Sequence, residues 1–182
     1  LAHLKDGPKG EYLTDRITTE AIGVLEQFSK NDTPWFVYMS YYTVHAPFHS
    51  KPEKTKKYAA KKARNPKYGG MMESMDENIG RMLSWLDQKG LRENTVIFFT
   101  SDNGGFAKAT NHAPLRGNKG SYYEGGIRVP FIIRWSGVAK AGHVSDVPVI
   151  SMDLYPTCLT AAGLPPHPAQ HRDGLDLLPL VN

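Results

Sequence analysis

A single cysteine, Cys158, is the only thiol in the 182 residues, so no intramolecular disulfide can staple the chain and a CxxC zinc site is excluded. No apolar run approaches the roughly 18 residues that a membrane-crossing helix needs. The first ten residues lack an apolar h-region and read as loop, so no secretory leader is recognisable there. Internal repeats and low-complexity linkers are also missing. Apolar residues at 40% and charged residues at 22% exclude wholesale disorder and collagen-like repetition. The length is that of one ordinary domain. Opening on Leu1 rather than Met, the sequence reads as the interior of a larger protein, so compartment is not read from its start.

What charge there is lies unevenly. The net charge is +4, yet the segment from Lys51 to Lys67 carries Lys51, Lys54, Lys56, Lys57, Lys61, Lys62, Arg64 and Lys67 against one acid, Glu53. That segment contributes +7 and leaves −3 for the rest. It reads either as a solvated surface helix or as a contact for a polyanion. No nucleic-acid recognition motif accompanies it, so nucleic acid is a weak candidate and not an expected partner, and a sulfated or carboxylated polysaccharide fits the charge equally well.

Hydrophobic spacing predicts a helix over Thr14–Lys30, with Ile17, Ala21, Val24, Leu25 and Phe28 on one face. A second is predicted over Tyr68–Lys89, with Met72, Met75, Ile79, Met82 and Leu86 as packing residues and Gly90 ending it. Trp35–Tyr41, Thr95–Thr100 and Pro130–Trp135 read as buried strands, and Val147–Ile150 as a fourth. Ser151–Ala162 reads as a short helix, Phe106–Gly126 as a long loop, and 163–182 as an irregular Pro-rich tail. Strands alternating with helices predict an α/β fold, a mostly parallel sheet with helices on both faces.

Asp102 and Asn103 follow a predicted strand and precede two glycines. Ligands in open α/β sheets bind at the carboxyl ends of strands. A carboxylate beside an amide oxygen gives two hard donors, which suit Ca²⁺ or Mg²⁺ rather than zinc; the same residues also make a plain turn. Ca²⁺ takes about six to eight oxygens, so other groups would have to complete its shell. His45, on the loop after the first predicted strand, reads as a hydrogen-bond donor or proton shuttle. Pro47 between His45 and His49 opposes the helix that a zinc pair would need. Arg116 and Lys119, in Leu115–Gly120, present two cations that can hold a tetrahedral oxyanion, or else belong to a mobile surface loop. Glu124 and Arg128 can pair to order that loop. Cys158 has no base nearby in the sequence and reads as a packing residue.

Six stretches taken together are more specific. YYTVHAPF (Tyr41–Phe48), MMESMDENIGRML (Met71–Leu83), NTVIFFTSDNGG (Asn94–Gly105), APLRGNKGSYYEGGIRVPFIIRW (Ala113–Trp135), VPVISMDLYPT (Val147–Thr157) and DGLDLLPL (Asp173–Leu180) occur in the order seen in sulfatases. The chain thus resembles the central to C-terminal part of the sulfatases, arylsulfatase type, within the alkaline-phosphatase-like superfamily. The resemblance implies that residues 1–182 form an incomplete catalytic domain for sulfate-ester hydrolysis. It implies that Asp102 and Asn103 ligate an active-site Ca²⁺ and that Lys119 contacts the sulfate and the leaving-group oxygen. It further implies that His45 donates to the bridging oxygen. Arg116 and His112 would lie on the substrate side, with Glu124 and Arg128 structural.

Sulfatases use a formylglycine made in a Cys/Ser-x-Pro/Ala-x-Arg motif, and Cys158 does not sit in one, since Thr160 and Ala162 stand where Pro or Ala and then Arg are needed. The nucleophile and the family's first pair of metal-binding Asp residues are absent from these 182 residues, so no turnover is expected of the chain alone. Partners implied are a sulfated small molecule or polysaccharide, and the compartment implied is periplasmic, secreted or lysosomal. Two other readings stand beside this one: a phosphodiester or phosphonate-ester hydrolase of the same superfamily, and a non-catalytic polyanion-binding module.

Overall fold

The computed structural model describes residues 7–170 and 173–181; the part of the predicted N-terminal loop before residue 7 lies outside them. The chain divides into two compact units, 1–89 with 102–129, and 90–101 with 130–182.

The first unit contains α1 (Leu13–Phe28), α2 (Pro52–Ala60), α3 (Pro66–Gln88) and the single turn α4 (Glu124–Ile127). Proline at the start of α2 and α3 suits a position whose N–H would be unsatisfied anyway. Asn65 caps α3 by accepting from the Tyr68 amide at 3.0 Å. Both α1 and α2 pack against α3. On α3 the predicted Leu86 is buried and Met72 is exposed; the other buried side chains, Met71, Ser74, Asn78 and Trp85, lie one residue off the predicted stripe. The displacement has a physical cause in the α1 side of the seam, which is polar: Thr14 and Thr18 are buried there with Leu25. Asn78 donates to Asp15 Oδ1 and to the Ser74 carbonyl, both at 2.7 Å, and accepts from Arg81 at 2.7 Å. Thr18 bonds the Tyr41 hydroxyl at 2.8 Å. Buried polar groups satisfied in this way stabilise and also fix one register, which an apolar periodicity does not reveal.

Lys54 on α2 is buried and ion-pairs with Glu73 at 3.0 Å and Glu77 at 2.5 Å, while Lys57 reaches Glu73 at 2.8 Å. Lys57 and Lys54 hold the Glu73 carboxyl down at about 2. Burial opposes the charge on Lys54, but Glu77 and Glu73 outweigh it and raise its pKa. Trp35–Tyr41 forms no ladder among the described residues. Its alternate side chains Phe36 and Tyr38 are 71% and 80% exposed. An apolar run becomes a strand only where a partner presents its own unpaired backbone groups, so periodicity alone overpredicts here.

The second unit contains β1 (Ile97–Thr100), β2 (Phe131–Arg134), α5 (Leu154–Ala161) and the one-turn α6 (Leu178–Val181). The α/β class stands. The ladder among the described residues, however, is two-stranded and antiparallel, pairing Ile97 with Arg134 and Thr100 with Phe131. Alternation of elements sets their order in the chain, not which strands become neighbours, and so does not fix their direction. Val147–Ile150 makes no ladder either, with Val147 and Ile150 exposed. Asp153, buried before α5, accepts from the amides of Ile150 and Leu175 at 2.8 Å each. Thr157 accepts from the Leu177 amide at 2.9 Å, and Leu177 is buried. The described part of the tail is thus tied to α5 by backbone amides.

Candidate active site

Asp102 and Asn103 follow β1 by two residues and open the loop that runs to α4. Two pairs of glycines let this loop fold back on itself at backbone distance. The Gly104 amide donates to the Gly126 carbonyl at 2.8 Å, and a Cβ on Gly104 would lie 2.0 Å from the Gly125 carbonyl oxygen. The Gly125 amide donates to the Arg116 carbonyl at 2.7 Å, and a Cβ there would lie 2.2 Å from the Gly117 oxygen. No side chain larger than hydrogen fits at either contact.

Gly105 joins two more site residues. Its carbonyl accepts from the Lys119 amide at 3.0 Å, and its amide donates to His112 Nε2 at 2.7 Å. His112 therefore presents a lone pair at Nε2 and carries its proton on Nδ1 when neutral. Asp102, Asn103, Lys119, His112 and Arg116 are in this way brought into one backbone-bonded cluster. Within it Asn103 Nδ2 donates to Asp102 Oδ1 at 2.5 Å, so the two side chains are bonded to each other. The Arg116 guanidinium stacks 3.8 Å from the centre of the Tyr123 ring, a contact that fixes a planar cation in place. Glu124 and Arg128 do pair, at 3.6 Å, with both side chains largely exposed, so the pair adds little.

His45 stands on a different loop. Its Nδ1 bonds the Ala46 carbonyl at 2.6 Å, which makes Nδ1 the protonated nitrogen and leaves Nε2 as the outward face. None of the other predicted site residues bonds to it. The two loops meet through Phe48, whose ring lies 6.3 Å from Phe106 and edge-on to Tyr68 at 5.7 Å. Cys158, in the second unit, is half-buried, and burial pushes its thiol up, away from nucleophile chemistry.

Sequence reasoning gave Gly104 and Gly105 the role of a sharp turn but missed Gly125, which meets the Arg116 carbonyl across the loop, although the second Gly-Gly pair was a visible signal. It also missed Phe48 and Arg64, whose Nη1 donates to the Thr110 carbonyl at 3.3 Å and so ties the basic segment to this loop. Two surface grooves of the first unit, about 490 and 470 Å³, lie away from the cluster, beside Asp15, Lys51 and Glu53 and beside Lys54 and Glu73. Among the described residues no group of three or more His, Cys, Asp or Glu is placed to hold a metal. None of the described helices is long and apolar enough to cross a membrane.

By class this is an α/β chain in which one glycine-braced loop carries Asp102, Asn103, Arg116 and Lys119. Comparison with known proteins gives the family: the sulfatase family model matches residues 3–164, and the chain belongs to the sulfatases. A sulfatase of Formosa agariphila is 37% identical over 187 residues, covering 94% of this chain and 34% of that protein. Human steryl-sulfatase is 35% identical over 178 residues, covering 93% of this chain and 29% of that one. The crystal structure of Ps i-CgsB in complex with k-i-k-neocarrahexaose superposes with a TM-score of 0.88 at 33% identity, over 97% of this chain and 40% of that chain. The chain spans about a third of the length of the curated relatives it matches.

Proposed function

We propose that this chain supplies the metal-and-cation half of a centre that hydrolyses sulfate esters, with a sulfated carbohydrate as substrate. The observation that carries the reading is the backbone-bonded cluster of Asp102, Asn103 and Lys119 in a chain of the sulfatase family. The donor types fit a hard divalent ion, a carboxylate on Asp102 and an amide oxygen on Asn103. Asp102 and Asn103 would hold Ca²⁺, which would supply charge to the sulfate oxygens, and a formylglycine would supply the attacking oxygen.

Lys119, anchored by its amide to Gly105, would place an ammonium against the sulfate and the leaving oxygen as charge develops there. His45, with Nδ1–H fixed on the Ala46 carbonyl, would give a proton from Nε2 to that oxygen when doubly protonated. Arg116, held flat on Tyr123, would meet an anionic group of the substrate. His112, committed through Nε2 to Gly105, would hold the turn and offer only its Nδ1 edge to a sugar. The carbohydrate preference rests on the oligosaccharide bound to Ps i-CgsB and on the basic segment of this chain.

The test is direct. The coding sequence upstream of Leu1 is read for a Cys/Ser-x-Pro/Ala-x-Arg motif, and the complete gene product is assayed with 4-nitrophenyl sulfate and Ca²⁺ beside matched phosphate mono- and diesters. Sulfate turnover that exceeds phosphate turnover supports the reading; a preference for the phosphodiester sinks it.

A further inference from the structure

The eight cations between Lys51 and Lys67 are not equivalent. Lys51 pairs with Asp15 at 2.6 Å, Lys54 with Glu73 and Glu77, and Lys57 with Glu73. Those three are consumed in holding α1, α2 and α3 together. Lys56 is exposed on α2 itself. Lys61, Lys62 and Lys67 are exposed and form no ion pair with any described carboxylate, although Lys61 lies 5.5 Å over the Tyr58 ring. They fall between the end of α2 and the first turn of α3, and Arg64 lies in the middle of them.

Part of this charge has a local use, since cations at a helix C-terminus offset its dipole. That use needs one lysine in the last turn, and Lys57 already stands there. It does not account for Lys67, which sits at the opposite pole of another helix, where the dipole disfavours a cation. Nor does it account for Lys62, which keeps a long side chain at a φ of 56°, a conformation that glycine or asparagine adopts at less cost. The Arg64 bond to the Thr110 carbonyl binds this tract to the loop that carries His112, Gly105 and Lys119.

From this juxtaposition we infer that Lys61, Lys62 and Lys67 form an anion subsite beside the proposed centre, one that takes a second anionic group on the same carbohydrate chain. The substrate is then a polyanionic oligosaccharide, charged on more than one sugar, rather than a singly charged ester. The inference rests on the proposed sulfatase reading for the identity of the bound chain, and its readout does not need turnover.

The experiment uses the complete gene product and two charge-matched triple variants. One is Lys61→Gln, Lys62→Gln, Lys67→Gln, which spares Arg64 and its bond. The other is Lys9→Gln, Lys30→Gln, Lys140→Gln, all exposed and distant in sequence from the tract. Binding of dextran sulfate is titrated directly over a series of salt concentrations, and 4-nitrophenyl sulfate turnover is measured alongside. The tract variant is expected to bind dextran sulfate at least about ten-fold more weakly, and its dependence of log K on log salt falls by about 2, from about 0.7 to 0.9 per lost contact. Its aryl sulfate turnover stays within about two-fold of the unaltered protein. Equal losses in both variants, or none in the tract variant, overturn the subsite. Selective loss of binding in a protein that never turns over an aryl sulfate keeps the subsite and sinks the sulfatase reading instead.

Discussion

Two regions of the first unit are held by opposite means. The α1–α3 seam is fastened by side chains, through Asn78, Thr18, Asp15 and Arg81. The loop of residues 102–128 is fastened mainly by backbone, with Gly104, Gly105 and Gly125 bonded to carbonyls and amides across the loop and one side chain, His112, accepting from the Gly105 amide. Side chains that build a scaffold cannot also serve a ligand. A loop whose polypeptide does its own fastening does not draw on the Lys119 ammonium for that purpose. Stability and activity should therefore respond to different substitutions in the two regions.

The sharpest separation comes from Lys119→Ala in the complete gene product. It should lower kcat by about 10²–10³, roughly 3–4 kcal/mol of transition-state stabilisation, while the urea midpoint stays where it was. An activity loss that merely tracks unfolding would break the comparison. Gly125→Ala should cost stability as well as activity, because the new methyl group would meet the Gly117 carbonyl, which cannot rotate away. About 3 kcal/mol is expected, read from urea unfolding. Asn78→Ala should cost about 2 kcal/mol, since Asp15 and Arg81 lose their shared partner, with turnover per folded molecule unchanged.

The smallest effect concerns acid. Glu73 has a carboxyl held near 2 against an ordinary 4.5, chiefly by Lys57 and then Lys54. A depressed carboxylate contributes stability that is complete above its unfolded pKa and lost as pH falls through the folded one. The α2–α3 pairing should therefore weaken between about pH 4.5 and 2. Helix content followed by circular dichroism should decline in that window for the unaltered chain, with a flatter profile for Glu73→Gln. Identical acid profiles would show that the ion pairs do not couple the helices.

The helices α1, α3 and α5 and the two paired strands were legible because each is announced locally, whereas the single turns α4 and α6 fall where the sequence reads as loop and irregular tail. Pro66 and Gly90 bracket α3, and the aromatic and β-branched runs of 97–100 and 131–134 are short and apolar. The candidate residues of the loop were legible as residue types, and the loop brings Asp102, Asn103 and Lys119 together through Gly105. Pairing partners were not legible. Trp35–Tyr41 has the composition of a strand but no ladder among the described residues, and β1 and β2 run antiparallel where alternation suggested parallel neighbours. The buried face of α3 was misplaced by one residue because its seam is built on Ser74 and Asn78, residues that a hydrophobic pattern ignores.

Phe48 has a consequence for how this region can vary. Its ring touches Tyr68 at the head of α3 and Phe106 in the loop, so the imidazole three residues earlier takes its bearings from those two points rather than from the stretch between. The helix that follows is docked separately, through Lys54 and Lys57 on Glu73, so this stretch of chain has two independent moorings. Loosening the second by a change at Glu73 should leave the His45 loop seated on its aromatic pair.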